Sequence, residues 1–153
     1  MVAMTEKAWA AASAVSDPEL PPLTIADLGV LRGVHTDASG RVVIRITPTY
    51  SGCPAMTVIQ MEIETALDKA GVKDARVETE LAPAWSSADI TAEGRTKLAQ
   101  IGIAPPPDPG ALIECPRCKS TATEELSRFG ATACKSLWRC TSCLEPFEAF
   151  KAL

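Results

Sequence analysis

The chain has 153 residues, 46% of them apolar and 22% charged, with a net charge of −4, six cysteines and one histidine. This is the composition of a folded globular protein with room for one ordinary core and a small satellite. The acidic balance argues against general nucleic-acid binding, which needs a basic surface to displace phosphate counterions. A single His and the lack of any Glu-x-x-His exclude a facial triad, a His-rich zinc site and a bundle-type di-iron site.

In chain order, Thr5–Val15 reads as an amphipathic helix stopped by Ser16-Asp17-Pro18. Its Ala-rich stretch lacks the basic flank and the apolar strength of a secretory segment. No apolar run approaches the roughly 18 residues of a membrane span, so the expected location is the cytoplasm. Val30–Thr36 and Arg41–Thr47 read as strands joined by the turn residues Asp37-Ala38-Ser39-Gly40. Pro54–Ala70 carries the clearest helical pattern, with Met56, Ile59, Ile63, Ala66, Leu67 and Ala70 on one face and Gly71 placed to end it. The apolar surface around Met56 and Met61 could serve a homodimer as readily as a core. Ala75–Leu81 alternates as a third strand, and a last helix is expected over Ala88–Gln100.

Four prolines within Ile103–Gly110 hold that segment extended. Residues 1–110 carry nine Lys/Arg against fourteen Asp/Glu, whereas 111–153 carry six against five and five of the six cysteines. The expected organisation is a domain over 1–103, a linker over 104–110 and a small module over 111–153. The fold class is α+β: a small mixed sheet of about three strands covered by helices, followed by a β ribbon.

Cys115-Pro-Arg-Cys118 and Cys140-Thr-Ser-Cys143 are separated by 21 residues. Two such knuckles supply four thiolates to one tetrahedral ion, and a module this short and this poor in apolar residues needs the ion to fold. Structural Zn²⁺ is favoured over an iron–sulfur or rubredoxin-like iron site. Such a ribbon serves docking rather than catalysis, because its metal has no open position. Cys134 reads as a small buried residue outside the ligand set, and Trp138 as a cover for the metal site.

Cys53 lies in Thr47-Pro48-Thr49-Tyr50-Ser51-Gly52-Cys53-Pro54, where Pro54 suits a first helical position and makes Cys53 the N-cap. The helix dipole favours negative charge there, the condition a nucleophile or metal ligand needs. A thiol that merely caps a helix fits the local pattern equally well. One thiol cannot hold a cluster, so partners would come from another chain or from Asp17 and Glu19. His35, in a strand beside a turn, is expected to face solvent and offers no catalytic base.

Asp17-Pro18-Glu19, Asp27-Leu28-Gly29 and Thr49-x-x-Gly52-Cys53-Pro54 resemble the iron–sulfur-cluster assembly domain of SufT-like bacterial proteins and a cytosolic eukaryotic assembly factor. The longer run Pro48–Ala55, with Pro83-Ala84-Trp85, Gly102-Ile103-Ala104-Pro105-Pro106, Phe129-Gly130-x-Thr132-x-Cys134-Lys135 and Glu145-Pro146-Phe147, resembles the PaaD family. That family is encoded with the multicomponent phenylacetyl-CoA epoxidase of aerobic phenylacetate degradation. The resemblance implies an accessory subunit, not catalytic alone, that helps assemble or repair iron or iron–sulfur centres in the oxygenase and reductase subunits. It implies Cys53 as the candidate for transient iron or cluster contact, with Asp17 and Glu19 matching the family's acidic motif; Tyr50, near Cys53 in the chain, is a further candidate. The alternative is a non-catalytic zinc-ribbon adaptor that docks those subunits.

Overall fold

The computed structural model describes residues 2–50 and 52–152. They form two compact units, one running to Trp85 and taking in Asp89–Thr91, the other comprising Ser86–Ala88 and the chain from Ala92 onward.

In the first unit, helix α1 (Val2–Ser13) buries Ala8 and Ala12 and packs against a sheet and a second helix. It ends two residues before the expected Val15, because Val15 already accepts a backbone bond from Ile25 in extended chain. A hairpin then appears that the sequence pattern does not signal: β1 (Ser16–Asp17) antiparallel to β2 (Leu20–Thr24). Its Pro21-Pro22 reads as a strand breaker, yet a two-stranded ribbon has an outer edge where a missing N–H costs nothing. Leu20 and Leu23 are buried beneath it.

The main sheet has the order β3-β4-β5, from Leu31–Thr36, Val42–Ile46 and Arg76–Thr79. β3 and β4 are antiparallel, while β4 and β5 are parallel with Ile44 opposite Val77. β4 is central, so Val42, Val43, Ile44 and Ile46 are all buried, and the expected two-faced alternation survives only at Arg45. Helix α2 (Ala55–Lys69) crosses from β4 to β5 and buries Ala55, Ile59, Ile63 and Leu67, a stripe repeating every four residues. It closes as expected at Gly71 (φ +78°): Gly71 N–H donates to Asp68, and Val72 N–H to Leu67 at 2.9 Å, satisfying carbonyls the helix leaves free.

A 3₁₀ turn at Ser87–Asp89 reaches into the region expected as helix from Ala88, and in the second unit α3 proper covers Ala92–Gln100. β6 (Ile103–Ala104), β7 (Thr123–Ser127), β8 (Lys135–Cys140) and β9 (Pro146–Phe150) form one sheet in the order β6-β9-β8-β7. Residues expected with the first domain thus pack within the ribbon's unit. β6 runs parallel to β9 with Ile103 opposite Glu148, and Arg95 donates to the carbonyls of Pro106 (2.7 Å) and Ser87 (3.0 Å). The Pro-rich stretch is tied down by those bonds rather than left as a free linker. No helix among the described residues is long and apolar enough to cross a membrane.

Candidate functional site

The two Cys-x-x-Cys pairs converge at one end of the ribbon. Their four Sγ atoms lie within 4.8 Å of one another, Cys115 to Cys143 at 3.8 Å and Cys118 to Cys140 at 3.5 Å. A tetrahedral ion with metal–sulfur bonds of about 2.3 Å spaces its sulfurs about 3.8 Å apart, so this donor set fits one. Backbone amides support the sulfurs: those of Arg117 and Cys118 donate to Cys115, and that of Cys143 donates to Cys140. The residue after each pair, Lys119 or Leu144, takes a left-handed φ of +67°. Arg117 of one knuckle pairs with Glu145 beside the other at 2.9 Å.

Cys115 and Cys140 are buried, packed with Ala104, Phe147 and Ala149 under Ile113 and Trp138, whereas Cys118 and Cys143 reach solvent. The Cys143 amide, with that of Ser142, pulls the Cys140 thiol down to about 6. Cys143 moves the other way, to about 12: the Glu145 amide favours its thiolate, but burial and the neighbouring sulfurs outweigh it. Cys134 is buried outside this group, with its sulfur 3.0 Å from the Thr132 hydroxyl.

The second thiol of interest lies in the turn between β4 and α2. Cys53 is half-buried; its amide donates to Tyr50 O at 3.3 Å and its carbonyl accepts from Met56 at 3.2 Å. The cap of α2 is Pro54 rather than Cys53, one residue later than the sequence pattern suggests, with helical φ and ψ of −67° and −20°. No side chain caps this end. Gly52, at φ +78°, has open space where a side chain would project, and Ser51 lies outside the described residues. Thr47, 2% exposed at the root of the turn, has a buried hydroxyl with no partner among the described residues.

Asp17 serves the hairpin: its Oδ1 accepts from Glu19 (2.8 Å) and Leu20 (3.1 Å). It also lines a groove of about 460 Å³ between α1, the hairpin and α2, together with Glu62 and Lys69. Neither Cys53 nor Glu19 is among the residues lining that groove. Glu62 and Lys69 were missed by motif reading; their seven-residue spacing, two turns of helix, is the signal that places them on one face. His35 is exposed on β3, as expected, and lies in a different element from Cys53.

The family model of the PaaD zinc beta ribbon domain matches residues 108–151, and that of the iron–sulfur cluster assembly protein family matches 5–79. A protein of Escherichia coli (strain K12), provisionally named as a component of 1,2-phenylacetyl-CoA epoxidase, is 43% identical over 95% of this chain and 91% of its own length. The chain belongs to the PaaD family. The Fe-S protein maturation auxiliary factor YitW of Bacillus subtilis (strain 168) is 36% identical over 55% of this chain and 82% of its own. Among solved structures, a domain of unknown function (DUF59) from Bacillus anthracis aligns with a TM-score of 0.58 at 29% identity. That alignment covers 63% of this chain and 92% of the domain. The PaaD chain therefore joins a DUF59-type α+β fold to a four-cysteine ribbon.

Proposed function

We propose that this protein is an accessory maturation subunit of the phenylacetyl-CoA epoxidase system. It assists assembly or repair of iron or iron–sulfur centres in the oxygenase and reductase subunits. The observation that carries this reading is Cys53: a half-buried thiol at the uncapped start of a 15-residue helix, beside a glycine at which a side chain would meet only open space. Free amides at such a helix end favour an anionic sulfur-bound group. One thiol supplies one ligand, so the remaining ligands of a cluster in transit belong to the partner, and contact is transient. In this reading Cys115, Cys118, Cys140 and Cys143 hold a structural Zn²⁺, which supplies a cross-link and, with four thiolates, no open position for substrate. The relative named for iron–sulfur maturation supports the assembly role, and the relative named for the epoxidase supports the partners.

The reading is tested by alkylating the zinc-loaded protein, in which the ribbon thiols are protected and Cys53 reacts first. Modified protein is expected to fail to raise the iron and sulfide content of the metal-free reductase subunit in an anaerobic reconstitution, where unmodified protein succeeds. Equal performance of the two would overturn it. A second reading, a passive adaptor, draws on the exposed Leu144 (69%) beside the knuckles; it requires that modification of Cys53 change nothing.

A further inference from the structure

The second unit contains a cavity that neither the metal centre nor the thiol turn uses. It has a volume of about 260 Å³ and lies on the sheet face bearing Ser136 and Trp138, bounded by Pro107 and Ile113. Pockets for drug-sized ligands hold roughly 300–1,000 Å³, so this one suits a smaller molecule. Its inner polar groups are bonded within the protein: the Trp138 indole N–H donates to Ser136 Oγ at 2.8 Å, and Ser136 Oγ donates to the Ala149 carbonyl at 3.4 Å. What is left for an occupant is the apolar surface of Trp138 and Ile113, both only partly buried, whereas Phe150 is fully covered.

The charge of the lining is uneven. Arg128 and Lys151 both line the cavity, against one carboxylate, Glu125. Neither cation has an acidic partner among the described residues, and the Lys151 ammonium sits 4.2 Å above the centre of the Phe129 ring. Basic groups on a folded domain are commonly paired with nearby acids; here two line one pocket with a single carboxylate, Glu125, and neither is paired with it among the described residues. Guanidinium meets carboxylate through a planar two-pronged hydrogen bond.

We propose that this cavity binds a small apolar monocarboxylate, its hydrocarbon body against Trp138 and Ile113 and its carboxylate toward Arg128 and Lys151. The inference does not depend on the role of Cys53.

The test is a titration of the full-length, zinc-loaded, ¹⁵N-labelled protein with sodium benzoate, using benzamide as the neutral probe of the same shape and sodium chloride as the ionic-strength control. Benzoate is expected to shift the Trp138 indole N–H resonance saturably in the millimolar range, with benzamide about tenfold weaker. Arg128→Gln, an exposed position outside the sheet, is expected to leave the free spectrum unchanged and weaken benzoate about tenfold; Lys151→Gln tests the second cation independently. No saturable shift at Trp138 would overturn the site. Equal response to benzamide, or wild-type affinity in both variants, would overturn the carboxylate assignment and with it the proposal.

Discussion

The indole N–H of Trp85 donates to the backbone carbonyl of Leu28 at 2.7 Å, a bond that spans 57 positions in the chain. Both residues are buried, Trp85 at 6% and Leu28 at 1% exposure. The bond anchors the Asp27-Leu28-Gly29 turn, which Thr91 also grips by donating its amide to the Asp27 carbonyl at 2.9 Å. Trp85→Phe keeps much of the apolar area but leaves that carbonyl without its donor, so the expected loss is about 1–3 kcal/mol in a urea unfolding curve. A change within about 0.5 kcal/mol would show that the bond contributes nothing net.

Gly29 and Gly52 both have positive φ, +74° and +78°, but differ in their surroundings. A side chain at Gly29 would run into the backbone carbonyl and Cβ of Asp89, whereas at Gly52 it would meet nothing. Gly52→Ala is therefore expected to cost only the left-handed strain, about 1–2 kcal/mol. Gly29→Ala adds an overpacking penalty and should cost about 2–4 kcal/mol in total. Comparable losses measured for the two variants would remove the Asp89 contact as the reason for the Asp27-Leu28-Gly29 motif.

The ribbon should depend on its metal and respond to pH in a definite direction. Cys140 is held down to about 6 and Cys143 up to about 12 in the metal-free site. Cys140 therefore gives up its proton more readily than Cys143, and because zinc takes both as thiolates its binding releases protons. Calorimetry in buffers of different ionisation enthalpy is expected to show that release. Affinity falls as pH is lowered, and falls more steeply below about 6, where Cys140 also takes a proton. The contribution of the depressed Cys140 to folding has the same sign: it is present above the ordinary thiol range and is lost as pH drops through about 6. Chelation of the metal, or Cys140→Ser, is expected to disorder the knuckles, read as collapse of the Trp138 and Phe147 resonances. Retention of those resonances in chelator would contradict a structural metal.

Much of this was legible locally. The four-residue stripe Ala55, Ile59, Ile63, Leu67 and its glycine stop are properties of a single segment, as is the Cys-x-x-Cys spacing. What escaped local reading depends on distant pairing or on backbone bonds. Pro21-Pro22 in a strand is tolerable only once β1 is known to lie beside it on one side. Ile103–Ala104 becomes a strand only because β9 offers an edge, and the Pro-rich stretch is held by Arg95 of a neighbouring helix. Asp17 reads from the motif as a site residue, but its carboxylate is occupied by amides of its own turn. Conversely, the open space beside Gly52 and the lack of a side-chain cap on α2 are geometric facts that no spacing reveals.

The maturation role rests most directly on what Cys53 does for a partner. The measurement is the iron and acid-labile sulfide content of the reductase subunit purified without oxygen from cells that produce this protein as wild type, as Cys53→Ala, or not at all. The variant should be folded and zinc-loaded, with the same melting behaviour as wild type, yet leave the reductase as poor in cluster as in cells without the protein. A reductase with full cluster content beside Cys53→Ala would contradict that role and leave the chain as an adaptor.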